Sequence, residues 1–256
     1  MNWSKWKERF PSIFFFLFLL TSWQIVAMAA HIPIWILPTP FQIGTALLET
    51  RHLIWLHTLT TLTETTAGFF LAVVFSLLTA AIMVLCPWIK QLLYPYLIIS
   101  QTVPLIAIAP LLILWLGYGL LPKIMIIIIV CFFPITINLI EGLELTDPDL
   151  LNLLRSMGAT PWQMFHMVRW PHALPSFFSG LKIAATYSVM GAVIGEWLGA
   201  SSGLGVYLTR SSHSFLTDRV FAAIVTITFL SFFYFALISF LARIMVPWAS
   251  SKQTKH

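Results

Sequence analysis

Apolar residues fill this 256-residue chain in long runs, separated by short polar stretches. A helix that crosses a bilayer needs about 20 mainly apolar residues. Six runs meet that need: residues 10–30, 58–85, 97–116, 121–140, 175–198 and 219–246. The pattern predicts an all-α membrane protein of six transmembrane helices in one membrane domain. The fifth run is the least regular, because it carries Lys182 and Glu196 and its start depends on how Pro175 ends the preceding loop.

Composition supports the same class. The chain is 59% hydrophobic and 9% charged, with a mean hydropathy of +0.90. A soluble domain carries roughly 25% charged residues, so this chain has too few to cover a water-facing surface. Its net charge of +5 is scattered among apolar runs and does not point to nucleic acid. With the amino terminus inside, Lys5, Lys7, Arg9, Lys90, Arg155, Arg169, Lys182, Arg243, Lys252 and Lys255 fall on the cytoplasmic side, against Arg51, Lys123, Arg210 and Arg219 outside. That bias follows the positive-inside rule. It predicts a multi-pass protein of the plasma membrane with both termini and the 141–174 loop in the cytoplasm. The amino-terminal run has the layout of a secretory leader, ending in Ala27-Met28-Ala29-Ala30. Its apolar core is longer than a leader needs, so it is kept as the first span.

The 141–174 loop is the most structured polar segment. Asp147-Pro148-Asp149 suits a helix start, with a capping acid, a proline in the first turn and a carboxylate at the positive end of the dipole. Leu150, Leu151, Leu153 and Leu154 give that short helix an apolar face, and Gly158 suits its stop. Thr160-Pro161 then predicts a second short helix over 161–168, with Pro171 and Pro175 breaking the chain before the fifth span. Two short helices joined by a sharp turn make a rigid knob. By periodicity alone the segment also fits a helix lying on the bilayer surface.

The spacing within this loop carries a resemblance. In permeases of ABC importers the corresponding loop reads Glu-Ala-Ala, three residues, Gly, nine residues, an aliphatic residue, one residue, then Leu-Pro. Here Asn152, Leu153 and Leu154 stand at Glu-Ala-Ala, Gly158 at the glycine, Val168 at the aliphatic position, Trp170 at the leucine and Pro171 at the proline. Further segments resemble the nitrate, sulfonate and taurine permease group in the expected order. They are Leu37-Pro-Thr-Pro40, Gly68-Phe-Phe-Leu-Ala72, Pro104-Leu-Ile-Ala107, the run from Pro110 to Gly117, Phe133-Pro134, Gly180-Leu-Lys-Ile-Ala184, and Gly195-Glu-Trp-Leu-Gly199 with Gly203-Leu-Gly205.

The resemblance implies a type I importer permease, with a core over 57–246, an amino-terminal span and outer loop over 1–56, and an ATPase-coupling loop over 141–174. It implies a pair of identical permeases, two cytoplasmic ABC ATPase subunits that hold ATP and magnesium, and an extracytoplasmic binding protein that delivers solute. Asn152, Leu153, Leu154, Arg155, Gly158, Ala159, Pro161, Trp162, Val168 and Pro171 would form the coupling loop. Solutes in the group include sulfonates, taurine, nitrate and thiamine-precursor pyrimidines, and the Thr61-Leu-Thr-Glu64 stretch looks most like the pyrimidine branch.

Other residues offer chemistry near the membrane. An acid inside a bilayer is costly and is a functional candidate by default. Glu196, among Gly195, Gly199 and Gly203, reads either as a gate residue or as a structural carboxylate with a backbone or basic partner. Glu64, among six threonines at 58–66, reads either as part of a polar interfacial turn before a span that starts at Gly68, or as a polar lining for the path. Lys182 fits a lysine that snorkels to the surface. Pro104, Pro110 and Pro134 can kink their helices, and the first two are candidates for shaping the path.

No Gly-x-x-x-x-Gly-Lys-Ser/Thr phosphate loop, His-Glu-x-x-His pair or Gly-x-Ser-x-Gly elbow occurs, so the sequence supplies no catalytic set, metal site or cofactor site of its own. Cys86 and Cys131 form no metal or redox motif. The alternatives are an ion-coupled secondary transporter using Glu64 or Glu196, and a membrane-embedded enzyme or scaffold. The first normally shows two related halves, and no such repeat is visible.

Overall fold

The computed structural model describes residues 3–250, and among them it contains helices and no strand. In chain order the helices are α1 (Trp3–Ala29), α2 (Pro40–Glu49), α3 (Arg51–Leu85), α4 (Pro87–Ser100), α5 (Leu105–Leu116), α6 (Leu120–Glu144), α7 (Pro148–Ser156), α8 (Pro161–Met164), α9 (Trp170–Trp197), α10 (Leu204–His213), α11 (Thr217–Met245) and α12 (Pro247–Ser250). Lys252 and Lys255, counted in the charge argument, lie outside the described residues.

Among the described residues four segments are long and apolar enough to cross a membrane: Arg51–Leu85, Leu120–Glu144, Pro161–Trp197 and Thr217–Met245. The third predicted span is corrected. Residues 97–116 are not one helix, since α4 and α5 meet at a 103° bend. Pro104 explains the break. It lacks an N–H, it disfavours helix at Val103, and it sits extended (φ −66°, ψ 122°) as the residue before α5. Pro110 and Pro134 lie inside continuous helices instead. The first predicted span falls on α1, whose described apolar part, Ile13–Ala29, is shorter than the four long spans.

The Glu64 region also differs from the expected interfacial turn, because α3 is one helix from Arg51 through Gly68. Its threonines do not break it. Thr58 and Thr66 donate to the carbonyls of Ile54 and Leu62, each at 2.7 Å, so their hydroxyls are satisfied within the helix.

Helices α6 and α9 form the centre. They run antiparallel, with Gly142 facing Ser176, Gly180 facing Pro134 and Asn138, Gly191 facing Ile127, and Gly195 facing Lys123. Small residues on α9 (Gly180, Ala184, Ala185, Ser188, Ala192) are all buried and let the backbones approach closely. Cys131 donates weakly to the Ala184 carbonyl at 3.3 Å. Helix α3 packs behind this pair. Helix α11 is tied to α3 by Tyr234, whose hydroxyl lies 2.5 Å from that of Thr66.

The closest approach gives a test. A Cβ on Gly180 would lie 2.5 Å from the Pro134 carbonyl oxygen, which is backbone and cannot swing aside. Gly180→Leu should destabilise the fold by about 1–3 kcal/mol or more, read as a lowered midpoint of thermal unfolding in detergent. An unchanged midpoint would mean that α6 and α9 are further apart than described.

Candidate functional site

The polar segment between α6 and α9 folds as a compact knob. Asp147 caps α7, its carboxylate accepting from the Asp149 N–H at 2.9 Å. At the other end, the Gly158 N–H donates to Arg155 O and the Ala159 N–H to Leu154 O, both at 3.0 Å. That double closure is a Schellman motif, and it needs a left-handed residue. Gly158 supplies it at φ +83°. Thr160 and Gln163 then cap α8 reciprocally, with the Thr160 N–H on Gln163 Oε1 at 2.8 Å and the Gln163 N–H on Thr160 Oγ1 at 3.3 Å.

The predicted break at Pro171 and Pro175 does not occur. After α8 the chain makes one wide turn over Phe165–Arg169, the Trp170 N–H reaching back five residues to Phe165 O, and enters α9 without interruption. A widened turn accommodates a proline that follows it, since Pro171 has no N–H for the carbonyl four residues back and its ring would crowd that oxygen. The second helix is thus not a separate 161–168 element. It is the first turn of one continuous rod of 37 residues, Pro161–Trp197.

None of the α7 or α8 residues is buried. Leu153, Met157 and Trp162 are 56%, 75% and 69% exposed, and Asn152, Arg155, Gly158 and Pro161 are also exposed. Leu154, Ala159, Val168 and Pro171 are half-buried. The knob is braced by a series of ring contacts that runs inward: Trp162 to Phe165 at 6.0 Å, Phe165 to Trp170 at 6.2 Å, and Trp170 to Phe177 at 6.1 Å. An exposed apolar tip on a rigid, aromatic-braced stem can transmit a force along α9.

The second constellation lies at the opposite ends of α6 and α9. Glu64 and Glu196 are 2% and 1% exposed, and both belong to one network. Lys123 Nζ donates to Glu64 Oε1 at 2.5 Å. Thr61 donates to Glu196 Oε1 at 2.6 Å. Three backbone N–H groups at the start of α10 complete it. Gly203 donates to His57 Nδ1 at 3.0 Å, Leu204 to Thr61 Oγ1 at 2.9 Å, and Gly205 to Glu196 Oε2 at 2.7 Å. The opening N–H groups of a helix have no partner within it, and its positive end favours a carboxylate. Glu196 on α9, with His57 and Thr61 on α3, supplies those partners. Gly203 stands at φ +121°, and a Cβ there would overlap the Glu196 carboxylate.

Sequence reasoning singled out both acids but missed Lys123 and His57. By charge bias alone Lys123 is an outer-side cation. It is only 8% exposed, because Glu64 draws it into the bundle. A signal was present: Lys123 is the sole Lys or Arg between Lys90 and Arg155, and a buried acid requires a cation. Pro104 and Pro110 stand on the bent α4–α5 pair, apart from this network. No group of three or more potential metal ligands occurs among the described residues.

Residues 72–247 match the family described as binding-protein-dependent transport system inner membrane component. The chain belongs to that family. It is 38% identical over 235 residues to the formylaminopyrimidine transport permease protein ThiX of Halalkalibacterium halodurans, covering 91% of this chain and 94% of that one. It is 32% identical to the riboflavin transport system permease protein RibX of Chloroflexus aurantiacus, over 91% and 88% of the two chains. The taurine transport system permease protein TauC of Escherichia coli is 30% identical, over 92% and 88%. Among solved structures, the MetNI methionine ABC transporter in inward-facing form aligns with a TM-score of 0.67 and 19% identity, over 77% of this chain and 98% of that one. These findings make the chain an ABC importer permease with the fold of that class, and they do not favour the ion-coupled alternative.

The Lys123–Glu64 pair can be tested by removing one partner at a time. Lys123→Met strands a buried carboxylate and should cost about 3–5 kcal/mol, whereas Lys123→Met with Glu64→Met should recover most of that loss. Unfolding of the purified protein in detergent reads both. Equal stability of the single and double variants would show that the pair does not interact.

Proposed function

We propose that this permease is the membrane half of an importer driven by separate cytoplasmic ATPase subunits, and that the knob over 149–168 is where they grip it. The observation that carries this reading is the exposed apolar tip, Leu153, Met157 and Trp162, held on a capped and aromatic-braced stem continuous with α9. A surface helix lying in lipid would not need the Gly158 turn or the capping of both short helices. Two copies of the chain would pair around a common path. ATP with magnesium, held by the partner subunits, would draw the two knobs together and tilt the attached spans. An extracytoplasmic binding protein would deliver the solute on the other face. The charge bias supports a cytoplasmic position for both termini and the knob in this reading, with the Glu196 network toward the outside.

Leu153, Leu154, Ala159 and Trp162 are the docking contacts in this reading, with Asn152 and Arg155 at the rim. Gly158 sets the turn, and Pro161, Val168 and Pro171 shape the stem. Glu196 acts by holding α10 against α9, Glu64 by tying α3 to α6 through Lys123, and the Pro104 bend with Pro110 lets α4 and α5 move as two pieces. The solute belongs to the sulfonate, taurine, nitrate or thiamine-precursor pyrimidine class. The relative at 38% identity, named for formylaminopyrimidine, supports the pyrimidine branch.

Purification of the chain from its native membrane in mild detergent should recover a phosphate-loop ATPase. Gly158→Arg should abolish that recovery and uptake while leaving the permease folded, because only glycine takes this turn without strain of about 1–2 kcal/mol and the new side chain blocks the tip. An intact complex carrying Gly158→Arg would move the grip elsewhere.

A further inference from the structure

The exposed faces of the long helices are not alike. On α11, every exposed residue between Phe229 and Leu241 is apolar: Phe229, Phe232, Phe233, Phe235, Ala236, Leu237, Phe240 and Leu241. That face suits lipid. On α9 the exposed face carries Ser179, Ile183, Tyr187 and Met190, with Lys182 and Thr186 half-buried along its edge. These positions recur at three- and four-residue spacing, so they form one stripe. Among the described residues the Lys182 ammonium has no ion pair and the Tyr187 hydroxyl no hydrogen-bond partner. Ser179 and Thr186 only return bonds to the Pro175 and Ile183 carbonyls, at 3.0 and 2.8 Å.

The depth of the stripe matters. Ser176 is level with Gly142 near the end of α6, and Gly191 is level with Ile127 near its start. Lys182 therefore lies about 9 Å inward of Ser176 at 1.5 Å per residue, and Tyr187 lies further in, beside the apolar middle of α6. A free ammonium and a free phenol at that depth are costly against hydrocarbon, and such residues face a bundle interior or a water-filled cavity.

We infer that the Ser179–Lys182–Thr186–Tyr187–Met190 face of α9 lines the water-filled translocation path, and that Lys182 and Tyr187 are its solute-contacting groups. The inference rests on the proposed importer function and adds the surface that meets the solute. An ammonium offers three donors and no acceptor, and no acidic side chain shares the stripe. The face therefore selects a solute that presents oxygen acceptors, such as a sulfonate or a formyl group, and disfavours a cation. The apolar Ile183 and Met190 provide a surface for a ring or short chain between the polar contacts. Because α9 is also the stem of the exposed knob, a movement at the knob reaches this face through a single helix.

The test uses single cysteines in the complete transporter, in a Cys86→Ser background, since Cys86 is exposed and Cys131 is buried. Ser179→Cys, Thr186→Cys and Met190→Cys are compared with Phe229→Cys, Phe233→Cys and Phe240→Cys. A charged, membrane-impermeant methanethiosulfonate reagent is applied from both sides of proteoliposomes, with and without ATP. The α9 cysteines should label at least tenfold faster than the α11 set. In uptake assays with taurine and with a formylaminopyrimidine as probes, Lys182→Gln should raise KM for the transported probe by at least tenfold, with the ATPase subunits still recovered in the purified complex. Labelling of both sets at the same slow rate would overturn the inference and leave Lys182 as a snorkelling lysine on a lipid face. An unchanged KM would remove Lys182 from solute contact. Failure of the importer reading would show separately, as a chain that labels along α9 but recovers no ATPase.

Discussion

Helices α6 and α9 lie against each other along their whole length, and this contact joins the two ends of the molecule. A lipid environment supplies no hydrophobic drive for helix association, so the contact depends on close packing of small side chains. Gly180, Ala184, Ala185, Ser188 and Ala192 make that packing possible. One end of the pair leads into the exposed knob around Gly158, and the other carries Lys123 and Glu196. The knob and the Glu196 network therefore share one continuous helical element.

That network is best understood as satisfaction of a helix end. Helix α10 starts inside the protein, where its opening N–H groups have no water to bond. His57, Thr61 and Glu196 take them, and Glu64 with Lys123 completes the buried charges. Such an arrangement fixes where α10 sits relative to α3 and α9. It also accounts for Gly203, where a Cβ would collide with the Glu196 carboxylate, while at Gly205 a Cβ would meet the Val193 carbonyl oxygen. The acids thus sit where they fix helix positions, and the proposed solute surface is the separate polar stripe on α9.

The same proline chemistry has three outcomes in this chain. Pro104 ends one helix and begins another at a 103° bend. Pro171 is absorbed by a wide turn and leaves the rod intact. Pro110 and Pro134 sit within regular helices. At Pro171 the surroundings help to keep the helix intact. A missing N–H can be tolerated where the neighbouring helices hold the rod straight, and α9 is packed on three sides by α3, α6 and α11.

The sequence by itself determined the class and the order of parts. Long apolar runs set the helices, since a bilayer requires backbone bonds to be satisfied within each segment. Local capping chemistry at Asp147, Gly158 and Thr160 set the knob, because those bonds involve residues only two to five positions apart. Only the tertiary structure decided which distant residues meet. Lys123 was read as an outer charge and is buried on Glu64. Residues 97–116 were read as one span and are two bent helices. The threonine-rich stretch before Gly68 fits an interfacial turn or a polar lining by sequence alone, and it is the interior of α3. Each depends on contacts far apart in the chain, such as the 59-residue separation of Glu64 and Lys123, and periodicity along a single helix carries no information about the partner across from it.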